Sequence, residues 1–306
     1  MVAVVTGAAG FIGRTLVRLL AQRGEVVGID RRPQRPVPGL TPITADLLDA
    51  DPVVRRALVG ASVVHHLAGW PDVRDERPDV EYRRFRDNVL ATCAVLAAVP
   101  PDTPLVVTSS SSVYGGTHGG RPSRETDRLH PRGGYARSKV AVEQVCDGRL
   151  QVGGAVIVVR PFTVAGEGQR PGMALARWLA AARAGDPLTV LGSPARTRDI
   201  TDVRQVAAAL ADLAGSGLRG TVNLGTGVSR SLADLADAVS RMVGVDVSTS
   251  VVPAQHVEVS HTLADTRLLR RTIGWVPSTD LDELVSRQLT ADPGTAISES
   301  ELEAAG

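Results

Sequence analysis

Val2-Ala3-Val4-Val5-Thr6-Gly7-Ala8-Ala9-Gly10-Phe11-Ile12-Gly13-Arg14-Thr15-Leu16-Val17-Arg18-Leu19-Leu20 opens the chain, and its reading decides the architecture. The apolar run 2–5 reads as a buried strand, and Leu16, Val17, Leu19 and Leu20 recur with helical spacing. Between them the glycines at 7, 10 and 13 let the backbone turn tightly and come close to an anion with no Cβ in the way. The helix that follows offers free N–H groups and the positive end of its dipole, the ordinary setting for a pyrophosphate.

Residues 25–29 read as a second buried strand that ends on Asp30. A carboxylate about 20 residues past such a glycine turn is placed to accept from both hydroxyls of an adenosine ribose. The spacing is GxxGxxG, and a glycine triplet by itself also suits a strand-to-helix turn with no ligand. The flanking strands and Asp30 turn the reading to dinucleotide binding. Asp30 repels a ribose 2′-phosphate and so favours NAD, although Arg31 and Arg32 directly after it are residues of the kind that bind that phosphate.

Composition excludes several classes of protein. The 306 residues are enough for one α/β dinucleotide domain and a smaller partner domain, and their formal charge of +1 carries no basic stripe for nucleic acid. Cys93 and Cys146 are the two cysteines, both inside helix-like patterns, so neither a disulfide framework nor a zinc site is expected and the setting is a reducing cytoplasm. The first strand begins at residue 2, leaving no room for a signal peptide. No apolar run reaches the roughly 18 residues of a membrane span, and a soluble protein is expected.

Outward from the opening stretch, 31–40 is a Pro- and Arg-rich loop and 42–45 a short strand delivering Asp46-Leu47. Asp46 suits either the adenine amino group or a surface strand end. Residues 61–67 form a fourth apolar strand containing His65 and His66. Adjacent strand residues point to opposite faces and no further ligand cluster accompanies them, so these are read as core histidines and no metal site is assigned. A long helix is predicted over 78–98, then a strand over 105–107. The alternation of strands and helices predicts a Rossmann-type, doubly wound parallel sheet with helices on both faces.

After that strand come Thr108-Ser109-Ser110-Ser111-Ser112-Val113-Tyr114-Gly115 and then Tyr135-Ala136-Arg137-Ser138-Lys139. Tyr135 and Lys139 stand one helical turn apart on one face. An ammonium there is expected to lower the phenol's pKa toward working pH and make Tyr135 a base, with a serine hydroxyl holding the substrate oxygen. YxxxK alone describes many amphipathic helices with an exposed lysine. Its company with the glycine turn and the serine-rich strand end points to catalysis.

Over nearly its whole length the sequence resembles the extended short-chain dehydrogenases/reductases that act on sugar nucleotides, on the motifs GxxGxxG, Asp30, Asp46-Leu47, His66-Leu67-Ala68, Asn88, SSxxVYG and YxxxK. The resemblance implies Ser110, Tyr135 and Lys139 as the catalytic set. It implies Gly7, Gly10, Phe11, Ile12, Gly13, Asp30, Arg31, Asp46, Leu47, Leu67, Ala68 and Asn88, with Tyr135 and Lys139, around NAD. Residues 1–165, with a returning segment at about 202–226, would be the NAD-binding domain and 166–290 a smaller α/β substrate domain. Residues 188–191 and 197–199 resemble the strand pair that closes on the nucleotide. A nucleotide-sugar substrate, a homodimer built on the helices of 78–98 and 135 onward, and a disordered acidic tail at 291–306 complete the implied picture.

Members of the family that remove water across C5 and C6 carry Asp-Glu after the catalytic serine, and UDP-glucuronate decarboxylases usually place Glu at the second position. Ser111 and Ser112 stand there instead, which suits a 4-epimerase. Thr163, where most sugar-nucleotide epimerases have Asn, and Arg170-Pro171-Gly172-Met173 are similar to UDP-glucuronate 4-epimerases, in which the serines and the threonine hold the sugar carboxylate. Capping of a strand end is the plainer role for these hydroxyls. Arg74, Ser111, Ser112, Thr163, Arg170 and Arg198 are thus the implied substrate contacts. The family's tyrosine is Ala165 here, its proline Glu167, and its late diphosphate arginine is replaced around 254–256. The expected activity is an NAD-dependent sugar-nucleotide 4-epimerase working through a 4-keto intermediate on UDP-glucuronate or a related UDP-hexose, with an NAD(P)-dependent 4-ketoreductase or a decarboxylase-type enzyme of secondary metabolism as the alternative.

Overall fold

The computed structural model describes residues 2–71, 73–75, 77–117 and 119–291. The opening stretch forms β1 (Ala3–Thr6) and α1 (Phe11–Ala21), followed by β2 (Val26–Asp30), β3 (Leu40–Thr44), α2 (Pro52–Val59) and β4 (Val63–His66). The helix predicted over 78–98 is three pieces in one rod: α3 (Val80–Arg84), a π-helical turn (Phe85–Leu90) and α4 (Ala91–Ala98). Then come β5 (Leu105–Thr108), a 3₁₀ turn (Ser111–Tyr114), α5 (Gly133–Gln151) and β6 (Val156–Pro161). With β11 (Gly220–Leu224) these strands make one seven-stranded parallel sheet in the order β11-β6-β5-β4-β1-β2-β3. Strand order reverses between β1 and β4, and a crevice opens there beyond the carboxyl ends of the strands, the usual ligand position of such sheets.

The buried strands are runs of valine, leucine and isoleucine because both faces of the sheet are covered. On one face Leu16 and Val17 of α1 pack with Val206, Leu210 and Leu213 of α7 (Val203–Ala214). On the other, Val54 and Leu58 of α2 join Val95 of α4 and Val142 and Cys146 of α5. Helix α2 escaped the sequence reading although its start is written in Asp51-Pro52: Asp51 caps Val53 N at 2.6 Å and Pro52 occupies the first turn, where its missing N–H costs nothing.

The remaining elements are β7 (Thr163–Ala165), α6 (Ala174–Ala184), β8 (Leu188–Leu191), β9 (Thr197–Arg198), β10 (Ile200–Asp202), β12 (Arg230–Ser231), α8 (Leu232–Val243), β13 (Thr249–Val252), α9 (Arg267–Ile273) and α10 (Leu281–Thr290). A smaller C-terminal α/β subdomain gathers here around Leu175, Trp178, Leu188, Val190, Val239 and Leu284. Helix α8 starts in a capping box between Ser231 and Asp234, as its sequence suggests.

One expectation is corrected here. Residues 188–191 and 197–199 do not pair with each other: β8 runs parallel to β13, β9 antiparallel to β12, and β10 parallel to β7. The break between β9 and β10 falls on Asp199. Its wholly buried carboxylate accepts from Thr226 N and Oγ1, Gly227 N and Ala264 N at 2.7–3.1 Å, so it ties three loops together instead of continuing a ladder. Residues 292–306, where most of the expected tail lies, are outside the described residues. Among the described residues no helix is long and apolar enough to cross a membrane.

Candidate active site

A cavity of about 830 Å³ runs along the crevice from the β2 end to the C-terminal subdomain. At its base Gly7 has φ +72°, and a Cβ there would lie 2.6 Å from Ala68 N; a Cβ on Gly13 would lie 2.0 Å from Gly7 O. Among the described residues no side chain caps the first amides of α1, and its first turn holds no acidic residue. This is a bare backbone cradle with a helix N-terminus aimed into it, and it fits a pyrophosphate. Phe11, Ile12, Leu47, Leu67 and Ala68 add walls that suit the rings of a dinucleotide.

Asp30 stands at the lip of the cradle. One carboxylate oxygen accepts from Ala9 N at 3.0 Å, and the other from Arg32 N at 3.0 Å and Arg32 Nε at 3.2 Å. Asp46, at the end of β3, accepts from Leu48 N and pairs with Arg86 at 2.8 Å; these contacts hold its carboxyl below the usual range against the opposing effect of burial. Arg31 lines the cavity, while Asn88 is buried behind the wall. Its carboxamide accepts from Trp70 N and donates to Trp70 O and Ser138 Oγ, which fixes the loop after β4 against α5.

Ser110, Tyr135 and Lys139 meet at the middle of the cavity. Ser110 ends the strand run in an extended conformation, its Oγ accepting from Ser112 N at 3.1 Å and hydrogen-bonded to the Tyr135 phenol. Lys139 Nζ lies 6.0 Å from the Tyr135 ring centre and donates to Thr108 O at 2.9 Å. Burial lowers the lysine to about 8. The phenol does not follow the expectation from its lysine neighbour. Burial raises its pKa, and the influences that oppose the rise are the Ser110 hydroxyl and the Arg170 guanidinium.

Two residues that sequence reasoning passed over hold this set in place. Glu143 lies one turn beyond Lys139 on α5, and Arg160 is the last residue but one of β6. They form a buried bidentate pair at 2.6 and 2.9 Å, and Ser109 donates to the same carboxylate. Arg160 also donates to the Tyr114 hydroxyl at 2.8 Å. The signal was the spacing: a glutamate four residues after Lys139, on the inward stripe of a helix, is buried and needs a buried cation.

On the substrate side Ser111, Ser112, Thr163, Arg170, Arg74 and Arg198 all line the cavity. Ser112 Oγ is buried and has no hydrogen-bond partner among the described residues. Arg74 Nε donates to Glu258 at 2.7 Å and Arg198 reaches the same carboxylate at 3.4 Å, so Glu258 joins the loop after β4 to the C-terminal subdomain. Arg198 also donates to the Thr197 and Ser260 carbonyls. The acidic residues lining the cavity are Asp30, Asp46, Asp87 and Glu258, each engaged by an arginine. The two adjacent histidines lie in the sheet: His66 bridges Thr6 Oγ1 at 2.7 Å and Thr92 Oγ1 at 3.0 Å, and His65 is wholly buried. Among the described residues no group of three metal-ligating side chains occurs.

A nucleotide cradle at a sheet reversal, joined in one cavity to a Ser-Tyr-Lys set, defines a dinucleotide-dependent enzyme of the short-chain dehydrogenase/reductase type. Residues 3–225 match the model of the NAD dependent epimerase/dehydratase family, and the chain belongs to that family. Its cofactor is NAD. The UDP-glucose 4-epimerase of Mycolicibacterium smegmatis is 31% identical over 92% of this chain and 96% of its own. Among solved structures, MoeE5 in complex with UDP-glucuronic acid and NAD is 34% identical, with a TM-score of 0.84 over 94% of this chain and 98% of that one. The UDP-glucuronic acid 4-epimerase of Bacillus cereus, in complex with UDP-glucuronic acid and NAD, is 25% identical, with a TM-score of 0.86 over the same shares.

Proposed function

We propose that this chain interconverts the C4 epimers of a UDP-sugar, with UDP-glucuronate as the preferred substrate. The observation that carries the reading is the grouping of Ser111, Ser112 and Thr163 in the same cavity as Tyr135, where each lining carboxylate is engaged by an arginine. Eliminating water across C5 and C6 needs an acid and a base beyond the tyrosine, and Ser111 and Ser112, the two residues after Ser110, cannot serve as either. Three hydroxyl donors suit an anion, and the Bacillus cereus epimerase and MoeE5 were both solved with UDP-glucuronic acid.

In this reading Tyr135 takes the proton of the C4 hydroxyl, Ser110 donates to the same oxygen, and Lys139 keeps the polar end of α5 against Thr108. Gly7, Gly10, Gly13 and Asp30 would hold NAD, which would supply a reversible hydride acceptor for C4. Arg170 and Arg198 meet the diphosphate. The 4-keto uronate is a β-keto acid, whose carboxylate leaves readily as CO₂ once the cleaving bond aligns with the ketone. Hydrogen bonds from Ser111, Ser112 and Thr163 favour the ionised carboxylate and hold its plane out of that alignment.

The test is turnover of UDP-glucuronate and UDP-glucose, separately, with no added cofactor, followed by chromatography and NMR of the products. The expected result is UDP-galacturonate with no net NADH. Stoichiometric NADH, a pentose as main product, or equal turnover of the two substrates would each overturn the reading.

A further inference from the structure

Two arginines follow Asp30 directly, the arrangement that ordinarily welcomes a ribose 2′-phosphate, yet the chain belongs to an NAD-dependent family. Arg32 is committed to Asp30. Arg31 donates to Asp87 at 3.0 Å and lies 3.7 Å from Asp46, and Arg86 closes the figure by donating to Asp46 at 2.8 Å and Asp87 at 2.7 Å. The result is a closed ring of two carboxylates and two guanidiniums at the adenosine end of the cavity. Asp87 is the anchor because its buried carboxylate bonds both arginines. It sits on the π-helical turn, where consecutive residues serve different walls: Asp87 lines the cavity while Asn88 points away to Trp70.

We propose that Asp87 is a specificity-determining residue for the cofactor, which rejects NADP by holding Arg31 inside this ring and away from a 2′-phosphate. Asp30 alone repels that phosphate by charge, but an unheld Arg31 beside it would supply a bidentate partner and offset the repulsion. With Asp87 present, a phosphate must break two ion pairs to recruit Arg31. With Asp87 uncharged, the ion pair left to Arg31 among the described residues is its longer contact to Asp46.

The test is a competition read without turnover. Full-length protein is exchanged against an equimolar mixture of NADH and NADPH, separated from free ligand by gel filtration, and the retained dinucleotides are quantified by chromatography. Asp87→Asn should raise the retained NADPH-to-NADH ratio about tenfold or more over wild type, the weight of one hydrogen-bonded charge contact. Asp87→Asn combined with Arg31→Gln should return the ratio to that of wild type, whereas Asp87→Asn combined with Arg86→Gln, of identical net charge, should keep it raised. Asp87→Ser carries the same test if the amide variant does not fold. A ratio within twofold of wild type in both Asp87 variants, or equal reversal by Arg31→Gln and Arg86→Gln, would overturn the proposal. Failure of the UDP-glucuronate reading would leave this result untouched, since no sugar enters the experiment.

Discussion

At Tyr135 the environment works in two directions. Burial opposes the phenolate, and the Ser110 hydroxyl and Arg170 favour it. Under the proposed reading the phenol takes the C4 proton, so Tyr135→Phe should lower kcat by about 10² or more with substrate binding little changed, the usual weight of a positioned base. Single-turnover kinetics alongside a binding titration separate the two effects, and near-full turnover would remove Tyr135 from its role. Thr163 tests the uronate preference. Thr163→Val keeps the shape and removes a donor to a charged group, so kcat/KM for UDP-glucuronate relative to UDP-glucose should fall by about 10- to 150-fold, with some pentose product. Competition assays with both sugars read that ratio, and unchanged selectivity would set the carboxylate role aside.

Helix α5 carries Tyr135, Lys139 and Glu143 on one stripe, and the Glu143–Arg160 pair ties that stripe to β6 and, through Ser109, to the strand end bearing Ser110. Removing one partner leaves a charge without its counterpart in a site where both side chains are at most 7% exposed. Glu143→Leu should therefore cost about 3–5 kcal/mol, while Glu143→Leu with Arg160→Met should cost much less, because no charge is then left unpaired. Urea unfolding of both variants decides this; equal destabilisation would show that packing, not charge, dominates. The π-helical turn is a second lesson at this scale. Periodicity over 78–98 identifies one helix, and the extra residue in the turn shows only in three dimensions.

For the whole molecule, the outer face of α3 and the π-helical turn exposes Tyr82 at 66% and Phe85 at 51%, which suits burial against a second copy. We propose a homodimer through this face and α5. Tyr82→Glu with Phe85→Glu should give a monomer by light scattering at micromolar concentration where the native chain gives a dimer, and a monomeric native chain would remove the proposal. Acid should also act globally. Burial pushes His65 down to about 4 and His66 to about 3, from an ordinary 6.5. The unfolded chain binds these protons more readily, so stability is complete above about 6.5 and falls as pH drops toward 4. Thermal unfolding across pH 4–7 reads this, and His65→Leu should flatten part of the slope; an unchanged slope would assign it elsewhere.

The local chemistry of the backbone was legible in the chain itself. Glycines 7 and 13 admit no Cβ, the valine-rich strands demand a sheet covered on both faces, and Ser231 with Asp234 marks the start of α8, because each depends on neighbours within a turn or a strand. Tyr135 and Lys139 were legible as one helical face, while the choice of Ser110 to join them came from the family resemblance. What the sequence could not supply was the partner of each charge. Whether Arg31 faces a phosphate or Asp87, whether Lys139 or Arg170 acts on the phenol, and which strands pair around Asp199 are decided between residues tens of positions apart. Those contacts form only when packing excludes water and leaves each buried charge to the nearest opposite one, and tertiary structure alone determines which one that is.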